Sequence, residues 1–440
     1  MSKVIDPKRS RVIETLSLSK GRRTTGPERS RRIRVRYAPS PTGIPHIGNI
    51  RTALFNYLFA KNQNGDFLLR IEDTDQNRLI PESVEKIKES LELLGLKWDE
   101  EEHQSKRLEI YKKHLDILKG KDLAYEDDGA WRFKVEKGKT LQWDDVVHGQ
   151  VKFSSDVIED FIIIKSDGFP TYHFASVVDD HDMQISHVFR GDEWISSTPK
   201  HLLIYQAFGW EPPKFVHLPP ILGADHKKLS KREGAKSVIE YIEEGYLPEA
   251  IVNFLAFLGW SPKDDREIFS LEELTREFSL DRINKNSPIF NLEKLNWFNS
   301  QWLRRLPQKE LSKKIKKAFP RYDPKIVGKL TPLIQKRITN VNDFPKLCNF
   351  FFEVPKPLDS VVEKGVLSKV AENFVKVSWN AEEIKNSIED FAQSQKVDKK
   401  DLIVSIRNIV AGRPVTPPLY ESLEILGKDE TIARLKKYVS

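Results

Sequence analysis

Two short stretches carry side chains that could act on a phosphate. In RYAPSPTGIPHIGNIRTALFNYLFA (36–60), a loop stiffened by Pro39, Pro41 and Pro45 ends at His46-Ile47-Gly48-Asn49 and passes into an apolar helical pattern. A strand feeding such a loop into a helix N-terminus presents free backbone N–H groups and the positive end of the helix dipole to an anion. His46 can donate to phosphate oxygens without adding a fixed charge, and Gly48 lets a ligand approach the main chain. A histidine at a helix start can equally be a cap or a packing residue. The second stretch, ADHKKLSKREGAKS (224–237), gathers Lys227, Lys228, Lys231 and Arg232 around Ser230. Such a loop suits the charge that develops on transferring phosphates, although a solvated lysine face has the same composition.

The elements that must position these groups read as α/β. IRVRYA (33–38) is a strand, 50–62 a helix and FLLRIED (67–73) a second strand. An amphipathic helix over 82–94 follows, with Val84, Ile87, Leu91 and Leu94 on one face, and another helix covers 105–120. The rhythm then changes to short β-rich segments (WRFKV, VKFSS, DFIIIKSDGFPTYHFA), which marks an insertion over 99–186. SHVFRG (186–191), a helix over 198–209 and KFVHLPPIL (214–222) resume the α/β order, and everything after about 236 reads as helical. The expected units are thus a parallel-sheet domain at 33–98 and 187–235, the insertion, and helical segments at 236–304 and 305–440.

Composition narrows the function. A chain of 440 residues holds several domains, and 39% hydrophobic with 31% charged residues is ordinary for a soluble protein. No apolar run is long enough to span a bilayer. The single cysteine, Cys348, excludes a disulfide framework and a cysteine-clustered zinc site, and points to a reducing compartment. The net charge of +7 is uneven: residues 1–32 hold ten basic against three acidic groups, 33–304 hold 36 against 45, and 305–440 hold 26 against 17. A basic C-terminal part points to a polyanion, nucleic acid in particular. The Arg/Ser/Thr-rich segment 1–32 lacks periodicity and reads as a disordered basic tail or a misplaced start. A transit peptide shares its composition, but Asp6, Glu14 and Glu28 count against one.

The pair HIGN (46–49) and KLSKR (228–232) resembles the two signature motifs of the class I aminoacyl-tRNA synthetases. LLRIEDTD (68–75), QSKRLEIY (104–111), the run 166–210, EEGYLPEAIVNFLAFLGWSP (243–262) and AGRPVTPPLYESLEILGKDETIARL (411–435) are similar to the bacterial glutamyl-tRNA synthetases in particular. The likeness covers about 33–440. It implies a Rossmann-type catalytic domain, an inserted acceptor-end-binding domain, a helical stem-contact domain (236–304) and an all-helical anticodon-binding domain (305–440). It also implies an ATP-dependent ligase that joins L-glutamate to the 3′-terminal adenosine of tRNA(Glu) through an adenylate.

The substrate carboxylate itself attacks the α-phosphate in that reaction, so positioning and electrostatics dominate. The resemblance gives His46 and Lys231 the stabilising role, with Gly48, Asn49, Lys228 and Ser230 on ATP and Mg²⁺ arriving with the nucleotide. Arg36 and Arg190 would face the glutamate side-chain carboxylate, Glu72 the α-ammonium, with Tyr172 and Ser40 beside it. A structural ion pair of either arginine with Asp73, Asp75 or Asp192 is the competing reading. Related glutaminyl enzymes look like P-E-P-N-G where this chain has PSPTG (39–43), so glutamate is favoured. A glutaminyl enzyme and an inactive tRNA-binding paralogue are the alternatives. Where many bacterial relatives carry a longer insertion, in some with zinc, this chain has only EDDGA between Tyr125 and Trp131. A trimmed acceptor-end domain without metal is expected. A cytoplasmic monomer is expected, with tRNA(Gln) charging left open.

Overall fold

In the computed structural model, which describes residues 32–229 and 235–440, a five-stranded parallel sheet lies beneath the histidine loop. Its strands are β1 (Arg34–Tyr37), β2 (Asp66–Ile71), β3 (Glu100–His103), β9 (His187–Gly191) and β10 (Lys214–Leu218), in spatial order β10-β9-β1-β2-β3. The chain leaves β1 toward β2 on one side and reaches β9 on the other. The strand order therefore reverses between β1 and β9. In open α/β sheets a crevice opens at that point, outside the carboxyl ends of the strands.

Alternation along β2 shows why both faces are buried. Phe67, Leu69 and Ile71 point into one core, while Leu68 points into a second. The crossover α1 (Ile47–Asn62) is apolar nearly all round because it is covered twice. The sheet lies on one side, and α7 (Pro248–Phe257) and α8 (Leu271–Glu277) lie on the other. Two more helices of this layer are α2 (Glu82–Leu93) and α6 (Val238–Glu243).

The second core joins α3 (Leu108–Gly120), α4 (Tyr172–Asp182) and α5 (Thr198–Phe208) to the strands of the insertion. Those strands are β4 (Ala124–Asp127), β5 (Ala130–Phe133) and β8 (Phe161–Ile164) in one antiparallel sheet, and β6 (Thr140–Asp145) with β7 (Gly149–Ser154) as a separate hairpin. The short EDDGA segment closes β4 onto β5 through Asp128 (φ 50°) and Gly129 (φ 72°), the left-handed pair of a two-residue hairpin turn. The β6–β7 hairpin does not stand apart from the main sheet, because Val146 N–H donates to Phe215 O of β10 at 3.0 Å.

One difference from the sequence expectation concerns β3. EEEH has poor strand propensity and falls inside the stretch read as insertion, yet it pairs with β2 from Leu68↔Glu100 to Ile71↔His103. The catalytic sheet thus continues past residue 98. Beyond the sheet the described chain is helical. A third core unites the last helices through Leu367, Phe374, Ile388, Leu402, Ile406 and Leu435. The segment 1–31 and residues 230–234 lie outside the described residues, so the tail reading falls there, as do Ser230, Lys231 and Arg232.

Candidate active site

The loop from Ala38 to His46 hangs over the crevice and is tied to the sheet by main-chain bonds. Glu72 N–H donates to Pro39 O and Ile80 N–H to Pro41 O, both at 3.0 Å. It ends at His46, which does cap α1: Nδ1 accepts from Gly48 N–H at 3.0 Å and from Asn49 N–H at 3.4 Å. The cap does not exclude the phosphate role, since it settles the tautomer. With Nδ1 accepting, the neutral ring carries its proton on Nε2, free to donate. Partial loss of water around the ring at the cavity, with the nearby Lys228, holds His46 below the ordinary imidazole value, which keeps it neutral near pH 7.

Gly48 has a physical reason besides the one expected. A Cβ there would sit 2.9 Å from Cε1 of His46 and 3.0 Å from Nδ1, so the glycine makes room for the imidazole.

The second motif begins on a small hairpin after β10, where Leu229 N–H donates to Ile221 O at 3.1 Å. It rejoins the first motif where Ile47 N–H donates to Lys236 O at 2.9 Å and His46 bridges Ser237. The two loops therefore enclose one space. His46, Gly48, Asn49, Lys228, Arg36, Ser40, Glu72, Tyr172 and Arg190 all line a single cavity of about 710 Å³. This brings together every predicted site residue that lies within the described part of the chain. A smaller cavity of about 380 Å³ adjoins it past Ser40, Glu72 and Tyr172, toward Lys165 and Arg78.

Beneath the cavity is a buried charge cluster only partly foreseen. Arg36 pairs with Asp180 through Nε at 2.9 Å, and not with Asp73, Asp75 or Asp192. Those three carboxylates serve Ser105, Arg78 and His148 respectively. Asp180 is shared with Arg70, whose Nη1 lies at 2.7 Å, while Arg70 Nη2 donates to Glu72 at 3.0 Å and to Ser176 at 3.3 Å. Burial pushes the Glu72 carboxyl up, against the pull of Arg70 and Arg36. For Asp180 burial acts the same way but the two guanidinium groups outweigh it, so its value falls.

Arg70 and Asp180 escaped the functional reading, although a signal existed. Each is a charge at a position that should be apolar, Arg70 in FLLRIE and Asp180 in VVDDHD.

Arg190 is held quite differently. Its Nε donates to His217 Nε2 (3.0 Å), its Nη2 to Thr198 Oγ1 (2.7 Å), and its Nη1 to Tyr172 Oη (3.2 Å) with His201 Nδ1 at 3.4 Å. Tyr172 in turn packs on Trp194 with ring centroids 4.2 Å apart. Arg190 is 6% exposed, and among the described residues no carboxylate forms an ion pair with it. A guanidinium buried with neutral partners at a cavity wall is poised for an anion. Among the described residues no His, Cys, Asp or Glu cluster could hold a metal ion, and no helix is long and apolar enough to cross a membrane.

Known proteins resemble this chain over most of its length. Residues 32–130 and 128–297 match the family described as tRNA synthetases class I (E and Q), catalytic domain, and residues 292–439 match the anticodon binding domain family. The glutamate–tRNA ligase of Dehalococcoides mccartyi is 39% identical over 469 residues, covering 92% of this chain and 96% of that protein. Glutamate–tRNA ligase 2 of Caldicellulosiruptor saccharolyticus is 37% identical, with 92% and 98% covered. The crystal structure of a glutamate tRNA ligase from Elizabethkingia meningosepticum in complex with its amino acid superposes with a TM-score of 0.86 at 32% identity. It covers 93% of this chain and 99% of that one.

Proposed function

From the premise that the chain belongs to the class I tRNA synthetases, among the glutamate–tRNA ligases, we propose how its site divides the work. The enzyme activates L-glutamate with ATP to glutamyl-adenylate, releasing pyrophosphate, and passes the glutamyl group to the 3′-terminal adenosine of tRNA(Glu), releasing AMP. In the first step a glutamate α-carboxylate oxygen attacks the α-phosphorus in line with the departing pyrophosphate. The protein supplies no nucleophile. His46 donates from Nε2 to a phosphate oxygen, the α1 N-terminus presents Asn49 beside it, and Lys228 with Lys231 and Ser230 of the second loop takes the growing negative charge. Magnesium travels with the nucleotide, held by phosphates and waters.

The amino acid lies on the other side of the loop. Arg190 takes the side-chain carboxylate with Tyr172 at its edge, Glu72 accepts from the α-ammonium, and Ser40 closes the loop side. Arg36 adds positive potential at the same wall. One observation carries this reading: the Arg190 guanidinium is buried against neutral acceptors. Among the described residues no carboxylate pairs directly with Arg190, so its positive charge is open to a ligand. A neutral glutamine amide would leave that charge unmatched, which disfavours the glutaminyl alternative. The tRNA anticodon arm falls to the helical part over 292–439. The chain acts as a monomer, and charging of tRNA(Gln) as well is the broader version of the same activity.

Aminoacylation with radiolabelled glutamate on purified tRNA(Glu) and tRNA(Gln) tests the proposal. Charging of tRNA(Glu) is expected, and charging of neither would sink it.

A further inference from the structure

Arg190 and His217 are direct register partners in the parallel β9/β10 pair, so their side chains rise side by side from the same face of the sheet. The His217 ring continues the line outward. Its Nδ1 lies 2.5 Å from Oδ2 of Asp145, and both side chains are fully buried. Asp145 comes from the end of β6, in the hairpin inserted between α3 and β9. Its other oxygen, Oδ1, accepts from Val147 N–H (3.0 Å) and His148 N–H (3.1 Å), which fixes the carboxylate in the hairpin turn.

We propose that Asp145 is a positioning residue for amino-acid selection. Acting through neutral His217, it fixes the Arg190 guanidinium in the orientation that receives the substrate side-chain carboxylate.

Each hydrogen along the line has one consistent place. Asp145 can only accept, so His217 Nδ1 carries the ring proton and Nε2 is left as an acceptor. Thr198 Oγ1 lies 3.0 Å from Trp194 O and 3.3 Å from His217 Nε2; with its hydrogen on the nearer Trp194 O, the Thr198 oxygen takes Arg190 Nη2 at 2.7 Å. The acceptor at Nε2 then takes Arg190 Nε–H at 3.0 Å, the shorter of its two contacts. Burial outweighs the pull of Asp145 and holds His217 below the ordinary imidazole value, so the ring stays neutral. Burial pushes the Asp145 carboxyl up, but the His217 ring and the two turn N–H groups outweigh it, and it stays ionised.

The imidazole serves as a spacer. A carboxylate bonded directly to Arg190 would aim the guanidinium but also neutralise it, as Asp180 does for Arg36 and Arg70. Set one ring further away, the carboxylate dictates direction while the positive charge stays available to a ligand.

This inference rests on the assignment of Arg190 to the substrate carboxylate, and its test separates the two. Asp145→Asn keeps the turn through its amide oxygen but sets an NH₂ against His217 Nδ1. The ring proton must then move to Nε2, facing Arg190 Nε–H donor to donor. In ATP–pyrophosphate exchange with tRNA(Glu) present, the variant is expected to raise the KM for glutamate more than tenfold. The KM for ATP should stay within about twofold of wild type.

Leu141→Ala, which loosens the same hairpin through its core contact, should lower Tm without moving the glutamate KM. Should Asp145→Asn fail to fold, the His217 pair decides. His217→Gln keeps an oxygen acceptor for Arg190 and should retain the glutamate KM far better than His217→Leu, of similar volume. Equal KM values for the Gln and Leu variants, or an unchanged glutamate KM in Asp145→Asn, would overturn the positioning role. A wild-type chain that activates no glutamate would overturn the substrate assignment and this inference with it.

Discussion

Gly48→Ala separates catalysis from stability more sharply than removal of any charged group. The new methyl would lie 2.9 Å from Cε1 and 3.0 Å from Nδ1 of His46, closer than Cβ atoms approach their neighbours. The helix backbone cannot yield there, whereas the His46 side chain is exposed and can rotate. The ring therefore moves, and both Gly48 N–H and Asn49 N–H lose their cap.

Loss of an N-cap costs about 1 kcal/mol, while glycine to alanine within the first helical turn returns up to about 1 kcal/mol. The two nearly cancel, so Tm should shift by only a few degrees. Catalysis has no such compensation. Removing a preorganised oxyanion donor costs about 2.7–4 kcal/mol, or roughly 10²–10³ in kcat, and a displaced donor forfeits a large part of that. The expected result in ATP–pyrophosphate exchange is a kcat lowered at least about tenfold, with the KM for glutamate within about twofold, because the proposed glutamate site lies on the far side of the loop. A variant with wild-type kcat and unchanged Tm would show that His46 Nε2 does not act on phosphate.

Two further outcomes follow from the buried charges. Asp180→Asn leaves Arg36 and Arg70 without their shared carboxylate and should cost about 3–5 kcal/mol in urea unfolding; a loss under about 1 kcal/mol would mean that the cluster relaxes to water. Histidines give a second handle, in pH. Burial first, with nearby cations, lowers His173 and His187 to about 4, and His201 and His217 also fall below their ordinary 6.5. Groups with a depressed folded value are neutral in the fold, so their contribution is fully present above 6.5 and is withdrawn as pH falls toward 4. Each pH unit of depression is worth about 1.4 kcal/mol. The urea midpoint should thus fall between pH 7 and pH 5, before the carboxylates titrate, and His187→Gln should flatten that fall. A midpoint constant over this interval would contradict the buried neutral rings.

Local patterns were the legible part of this molecule. Alternation in FLLRI, the amphipathic period of 82–94 and the proline-stiffened loop each report on neighbours close in sequence, and the observed elements lie within a few residues of those readings. The helix after the loop starts at Ile47 rather than Ile50 because His46 caps it, which side-chain type alone does not reveal. Strand β3 was illegible for a different reason. Three glutamates carry no strand signal, and EEEH is extended because β2 offers an open edge. Lys88 and Arg34 then take up part of its charge, at 2.7 Å from Glu101 and 2.8 Å from Glu100. The site was legible as a set of residues but not as a wiring diagram. Arg36 with Asp180, or Arg190 with His217 and Asp145, meet only once the strand order and register are set, and neither is written in local composition.

That wiring breaks the symmetry in which Arg36 and Arg190 enter the sequence reading as equals. Arg36 donates from Nε to Asp180 at 2.9 Å and from Nη1 to Phe189 O at 3.3 Å, and Asp180 also answers Arg70. Much of the Arg36 charge is therefore spent inside the protein. What it adds at the cavity wall is shape and a residual potential. Arg190 has its hydrogens occupied but its charge intact, because its partners are a hydroxyl, a phenol, imidazoles and a carbonyl. An incoming carboxylate displaces weak neutral contacts there and gains a full charge pair, whereas at Arg36 it competes with a carboxylate already in place. Discrimination between a carboxylate and an amide should accordingly reside at Arg190. Arg36 and Arg70 with Asp180 form the rigid floor that keeps the pocket from collapsing around its own charge.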